Sequence, residues 1–209
     1  MDSARLEIEA KFVLPHLADI RARLLTLGAQ QLSPRSLEVN WRFDEPSGSL
    51  GAGGRVLRLR RDRVAHLTYK APGSVPEERV EIALEIDNAE SGRLLLEALG
   101  FRVVAAYEKF REVFRLHDGH VMLDDLPFGH FVEIEAGSVE RLRALAASLG
   151  LAWDERITAS YIALFEALRS LPGSRASAAT FQAWERIPLP SPEALRGVSR
   201  QLRAPGAIP

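Results

Sequence analysis

Charged side chains occupy every second position of several strand-like segments in this 209-residue chain. The first such segment carries Glu7, Glu9 and Lys11, and a later one carries Glu133 and Glu135, with apolar residues between them. Because alternate residues of a β-strand share a face, each segment has one charged face and one apolar face. The periodicity therefore predicts strands whose apolar side is covered by other elements and whose charged side has a separate role.

Three segments repeat one plan, in which an alternating strand is followed by a helix and a Leu-Gly stop. The predicted strands are about Leu6–Leu14, Val80–Ile86 and Phe131–Ala136. Each helix that follows has apolar residues at helical spacing. The three helices end at Gly28, Gly100 and Gly150, where a glycine suits the left-handed residue after a helix.

Shorter alternating segments with turn signals lie between these units. They are Leu37–Asp44, Arg55–Arg61, His66–Lys70, Lys109–Leu116 and His120–Asp124. A last helix is predicted over Ser160–Ser170. About eight strands with helices on their apolar side predict an α+β fold built on an eight-stranded antiparallel β-barrel, with the helices packed outside.

The composition argues against several classes of partner and of functional site. The 27 basic and 28 acidic residues give a net charge of −1, which argues against a nucleic-acid or membrane-surface partner. The absence of cysteine excludes disulfides, thiolate metal sites and cysteine nucleophiles. No apolar run approaches the roughly 20 residues that span a bilayer, and the N-terminus lacks the apolar core of a signal peptide. We therefore expect a cytoplasmic protein.

The composition shifts towards Pro, Ser, Ala and Arg near Pro172. We expect a barrel domain over residues 1–171 and an extension over 172–209 that holds no chemistry. Phe181 and Trp184 could dock onto the domain, and Ser191-Pro192 is typical of the start of a short helix.

Two interpretations of the charged faces are open. For a single strand, cross-strand ion pairs on a solvated face are the ordinary explanation. Repetition on many strands favours the interior of a barrel, where unpaired charge is costly and a polyanion would be needed. Carboxylates on the same faces would repel a bare polyanion, so a polyphosphate chelated to Mg²⁺ or Mn²⁺ reconciles the two signs.

The order of these residues resembles the CYTH superfamily, the triphosphate tunnel metalloenzymes, over about residues 5 to 168. The Glu-x-Glu-x-Lys signature begins at Glu7, and further matches follow along the chain. These are Leu57–Arg60, Thr68–Lys70, Arg79-x-Glu81, Glu108–Arg111, Leu123-Asp124, Gly129, Phe131–Glu135 and Ser160-Tyr161. The resemblance implies an eight-stranded antiparallel tunnel that acts on triphosphates. Its members are class IV adenylyl cyclases, inorganic triphosphatases and thiamine triphosphatases.

The charge pattern and the resemblance together assign candidate site residues. The catalytic candidates are Glu7, Glu9, Lys11, Glu133 and Glu135. The expected metal ligands are Glu7, Glu9, Glu133 and Glu135, with Asp124 as a weaker candidate. The expected phosphate ligands are Lys11, Arg58, Arg60, Lys70, Arg79, Lys109 and Arg111. Glu81 and Glu85 are further candidates for the tunnel interior.

These candidate residues are compatible with three functions. Hydrolysis of inorganic, nucleoside or thiamine triphosphate is slightly favoured, the alternative being a class IV adenylyl cyclase that makes cyclic AMP and pyrophosphate. A non-catalytic polyphosphate- or nucleotide-binding module is the third. Asn40, Arg42 and Ala83 depart from the family pattern and bear on the organic end of the substrate. Because such barrels commonly pair, a homodimer is expected.

Overall fold

The computed structural model describes residues 5–75, 77–175 and 177–202, and within them the chain forms eight strands and seven helices. The strands are β1 Arg5–Leu14, β2 Gln30–Asp44, β3 Val56–Arg61, β4 Ala65–Pro72, β5 Glu78–Ile86, β6 Arg102–Leu116, β7 Gly119–Leu126 and β8 Gly129–Glu135. The helices are α1 Ala18–Thr26, α2 Ser49–Ala52, α3 Ala89–Ala98, α4 Val139–Ser148, α5 Tyr161–Arg169, α6 Phe181–Trp184 and α7 Pro192–Gln201.

The strands form one closed antiparallel sheet in the order β1-β5-β4-β3-β2-β6-β7-β8. The predicted α+β class and eight-stranded barrel are confirmed. Strands β2 and β6 are longer than predicted, because they begin at Gln30 and Arg102. The added part of β2 contains Pro34 among polar residues, and proline cannot donate a ladder hydrogen bond, so the sequence pattern there argues against a strand.

Helix ends lie where the Leu-Gly stops predict. Gly28, Gly100 and Gly150 have φ of 76°, 94° and 76°, a left-handed conformation that glycine adopts without a Cβ penalty. At the other end, Asn88 accepts a hydrogen bond from the Ser91 amide at 2.9 Å and Ser138 accepts one from the Arg141 amide at 3.3 Å. These local signals set the C-terminal ends of α1, α3 and α4 and the N-terminal ends of α3 and α4.

The chain divides into two compact units. The first contains β1 up to Glu7 and the segment Leu37–Glu108. Its core packs Leu96 of α3 against Phe43 of β2 and Leu59 of β3, so this helix covers the apolar face of the strands. Strands β2, β3, β4 and β5 pair in that order, each antiparallel to the next, and Asn40 of β2 is the Cα partner of Arg60 of β3.

The second unit contains Ile8–Ser36 and the chain from Lys109 onward. Its core lies on the apolar faces of β1, β6, β7 and β8, which α1 and α4 cover. The fully buried members include Leu24, Phe114, Val121, Val132, Ile134, Leu142 and Ala146. Apolar burial on one face of these strands leaves their charged residues on the opposite face.

Residues 177–202, in the predicted extension, pack against other parts of this second unit. The rings of Trp184 and Phe128 lie 5.9 Å apart, and Phe181 lies 5.0 Å from Phe110. Leu195 of α7 is buried, and a Cβ added at Gly129 would lie 2.9 Å from its Cδ1 atom. Helices α6 and α7, which lie in the predicted extension, are therefore packed within the same unit as β7 and β8. The domain boundary near residue 172 stays a prediction.

Candidate active site

Strand register places opposite charges together in the second unit. Lys11 of β1 is the Cα partner of Glu133 of β8, and their side chains form an ion pair of 2.7 Å. Arg111 of β6 is the partner of Asp124 of β7 and donates to both oxygens of that carboxylate and to Glu133. The two carboxylates and their cations form one buried network.

Asp124 is the centre of this network. It is fully buried and accepts hydrogen bonds from Lys109 at 3.0 Å and from the Tyr161 hydroxyl at 2.8 Å, besides those from Arg111. Burial, with the negative charges of Asp124 and Glu133 nearby, raises the pKa of the Tyr161 phenol well above its ordinary value. Tyr161 is therefore a neutral hydrogen-bond donor. The contacts of Asp124 favour the role of counter-ion over that of metal ligand for this residue.

The electrostatics keep the network charged. Burial disfavours the ionised form of Glu133, but Lys11 and Arg111 more than offset it and hold the pKa of this carboxyl well below its usual range. Burial likewise opposes the charge on Lys11, and Glu133 and Glu9 raise its pKa above the ordinary value. The Lys11 ammonium also lies 4.4 Å from the Tyr161 ring centroid, a cation–π contact.

A second group of carboxylates lies on β1 and β8. Glu9 is the Cα partner of Glu135 across β1 and β8, and Glu7 precedes Glu9 by two residues on the same strand. One oxygen from each lies within 4.8 Å of the other two. Three clustered carboxylate oxygens are the donors that Mg²⁺ and Mn²⁺ prefer, so these residues fit the expected cation.

In the first unit, Lys70 lies between two carboxylates. Its ammonium pairs with Glu7 and lies 3.0 Å from Glu81, its Cα partner on β5. Burial opposes ionisation of Glu81, but Lys70 lowers the pKa of that carboxyl below its ordinary value. Both predicted residues, Lys70 and Glu81, thus share one local cluster.

Arginines of β2 and β3 face one another in the same unit. Arg42 is the Cα partner of Arg58, while Arg60 lies 3.9 Å from Glu38, two residues before Asn40. Burial lowers the pKa of Arg42, although Tyr107 and Asp44 oppose the effect. Like charges directly opposite each other are unfavourable in a sheet, so this pair is suited to an anion.

The remaining predicted residues are less enclosed. Arg79 donates to the Glu78 carbonyl at 2.7 Å and is half-buried, and Glu85 is exposed at the end of its strand. Glu38 and Arg42 were not assigned from the sequence, although their alternation with apolar residues in β2 carries the same signal. Tyr161 was matched by resemblance without a role. Its buried hydroxyl contact with Asp124 supplies one.

No helix in the described part of the chain is long and apolar enough to cross a membrane.

The protein is thus of the class built on a closed eight-stranded antiparallel sheet, with clustered acidic residues and cations on the charged faces of the strands. Residues 5–151 match the CYTH domain family, and the chain belongs to that family.

Individual proteins match this chain at low identity, one of them by sequence and two by structure. The adenylate cyclase CyaB of Aeromonas hydrophila is 28% identical over 172 residues, covering 78% of this chain and 90% of that protein. A Vibrio parahaemolyticus protein of known structure has a TM-score of 0.70 and 25% identity, covering 77% of this chain and 97% of the other. HpAC1 of Hippeastrum, described as having a dominant triphosphatase activity, shares the fold with a TM-score of 0.57 and 21% identity, covering 79% of this chain and 98% of that one.

Proposed function

We propose that the protein is a divalent-metal-dependent enzyme that hydrolyses the triphosphate of a small substrate. The observation that carries this proposal is the composition of β1, which bears Glu7 and Glu9 of the acidic cluster and, two residues on, the buried cation Lys11. A strand that presents cation ligands beside a phosphate ligand suits a phosphate chelated to metal.

Phosphate binding would use the buried cations of the second unit. Lys11, Lys109 and Arg111 are counterbalanced by Asp124 and Glu133, so three positive and two negative groups leave a net charge of +1. Their fixed carboxylate partners hold the cations in place before the substrate arrives. Donors fixed in advance stabilise charge that develops on phosphate oxygens without reorganising during the reaction.

In the first unit, Arg58, Arg60 and Lys70 would bind further phosphate oxygens. The facing arginines of β2 and β3 and the cluster around Lys70 supply donors for this purpose. Guanidinium groups suit this role because their planar donors match the geometry of phosphate oxygens. Arg79 and Glu85 have weaker support, since one donates to a neighbouring carbonyl and the other is exposed.

Glu7, Glu9 and Glu135 would hold Mg²⁺ or Mn²⁺, which supplies Lewis-acid polarisation of phosphate oxygens and charge neutralisation when bound. Glu133, predicted from the sequence as a further ligand, instead orients Lys11 and Arg111 in this proposal.

A second function, synthesis of cyclic AMP and pyrophosphate from ATP, is favoured by the name of the Aeromonas relative. Hydrolysis is favoured by the activity described for the Hippeastrum protein, whose likeness to this chain is one of fold. Both reactions use the same phosphate contacts. They differ in the contacts that the sugar needs, since cyclisation must direct the 3′-hydroxyl at the α-phosphorus.

Product analysis distinguishes these functions. The purified protein is incubated with ATP and, separately, with tripolyphosphate, each with Mg²⁺ or Mn²⁺, and the products are resolved by chromatography. Orthophosphate release supports hydrolysis. Formation of cyclic AMP from ATP, with tripolyphosphate left uncleaved, would contradict hydrolysis and support the adenylyl cyclase. Stabilisation by either compound without turnover would indicate a binding module. The cytoplasmic location and the homodimer expected from the sequence stay predictions.

A further inference from the structure

Asn40 is a buried amide with no hydrogen-bond partner among the residues that the structure describes. The side chain is 0% exposed, and neither its Nδ2 donor nor its Oδ1 acceptor is paired. Buried amides are almost always hydrogen-bonded, because an unpaired donor or acceptor away from water is costly. Such an amide is a candidate for contact with a bound ligand.

The surroundings of Asn40 locate that ligand. Asn40 is the Cα partner of Arg60, and Arg42 on the same strand face is the partner of Arg58. Arg58 and Arg60 are candidate phosphate ligands of the first unit. A ligand group that pairs with Asn40 would therefore lie beside phosphate bound by these two arginines.

Phosphate by itself does not satisfy this amide. At neutral pH the oxygens of a triphosphate chain are overwhelmingly acceptors, so they could pair with Nδ2 and would leave Oδ1 without a donor. Both atoms are satisfied by a group that donates and accepts side by side. Sugar hydroxyls and the edge of a nucleobase have this chemistry, and the edge of adenine pairs with asparagine in a two-bond geometry.

We propose that Asn40 is a specificity-determining residue that selects a triphosphate carrying an organic donor–acceptor group, a nucleoside triphosphate, over inorganic tripolyphosphate. The inference rests on the proposed function, in that Arg58 and Arg60 bind the phosphates. It assigns the substrate class, which the phosphate contacts alone leave open.

The test compares binding of two ligands that resist cleavage, the imido analogues of ATP and of tripolyphosphate. Dissociation constants are measured by titration calorimetry for the wild type, Asn40→Ala and the control Gln182→Ala, an exposed amide on α6. Loss of two hydrogen bonds should lower the preference for the nucleotide about 10-fold to 100-fold in Asn40→Ala. The control should keep the wild-type preference.

Further ligands identify which part of the nucleotide is recognised. If Asn40 contacts the sugar, the 2′-deoxy or 3′-deoxy analogue should bind the wild type more weakly by a similar factor, and this difference should vanish in Asn40→Ala. If it contacts the base, replacing adenine by another base should give that result. A preference that is the same in the wild type and Asn40→Ala would overturn the proposal.

Thermal unfolding without ligand separates this role from a structural one. The melt uses Asn40→Leu, which keeps the volume of the side chain and so avoids a cavity. Replacing an unpaired buried amide by an apolar group of similar size should leave the melting temperature unchanged or raise it, whereas loss of an amide that supports the fold would lower it and contradict the inference. Failure of the proposed function has a different signature. In that case the wild type cleaves neither ATP nor tripolyphosphate, while the binding preference is still measurable.

Discussion

Replacing Asp124 by asparagine tests whether this residue is the counter-ion of the buried network. The change keeps the size of the side chain and removes the charge that balances Lys109 and Arg111. Lys109 is only 1% exposed, so its ammonium cannot turn to water. Removing one partner from a buried ion pair costs about 3–5 kcal/mol. Because Arg111 keeps Glu133, we expect about 3 kcal/mol, the lower end of that range.

Urea unfolding followed by circular dichroism measures this loss. The midpoint should fall while the dependence on urea concentration stays the same, since the surface exposed on unfolding is unchanged. Tyr161→Phe is the matched control, because it removes one hydrogen bond from a neutral hydroxyl to the Asp124 carboxylate and leaves the charge in place. It should cost about 1.5 kcal/mol, the lower end for a hydrogen bond to a charged group.

The opposite result would refute the assignment. If Asp124 were a metal ligand, neutralising it in metal-free buffer would relieve repulsion between carboxylates and leave the protein as stable or more stable. A loss no larger than that of Tyr161→Phe would likewise show that the charge of Asp124 does not hold the network.

Three further changes test other parts of the structure. The folded pKa of Glu133 lies below its unfolded value, so the unfolded state binds more protons as pH falls below about 4.3 and the wild type should lose stability there. Glu133→Gln should have a shallower slope than the wild type in acid titrations followed by circular dichroism, because Asp44, Glu81 and Asp125 still contribute, and an unchanged slope would contradict the ion pairs. Trp184→Ala should lower stability by about 3–5 kcal/mol in urea melts, because the ring is buried against Phe128, and a change below about 1 kcal/mol would show that the extension is only loosely attached. Arg42→Met should raise the stability of the ligand-free protein by about 0.2–1 kcal/mol by removing a like-charge pair with Arg58, and should weaken tripolyphosphate binding in thermal-shift titrations. A destabilised ligand-free variant would mean that Arg42 supports the fold.

The alternation of charged and apolar residues predicts most of the fold because period two fixes both the strand and its buried face. It fails at the start of β2, where Pro34 and polar neighbours hide a strand, and at the start of β6. Both segments belong to strands of the closed sheet, and a pattern within one segment carries no information about how strands pair.

The candidate site divides in the same way. The sequence places Glu133 on the charged face of its strand. It does not identify the partner of Glu133, because the partner depends on the strand register, which sets Lys11 opposite it. Its role as a counter-ion follows from an ion pair between strands more than 100 residues apart in sequence. The orphaned amide of Asn40 is likewise visible only when the packing around it is known.

The most direct test of the account is the rate of triphosphate cleavage as a function of free divalent cation. With ATP or tripolyphosphate as substrate, the wild type should be inactive in chelator and recover with added Mg²⁺ or Mn²⁺. Glu9→Gln and Glu135→Gln should raise the half-saturating metal concentration by at least about 10-fold, while Glu185→Gln on an exposed position should match the wild type. Cleavage at the full rate in chelator, or no cleavage of any triphosphate with either metal, would contradict metal-dependent triphosphate chemistry at this site.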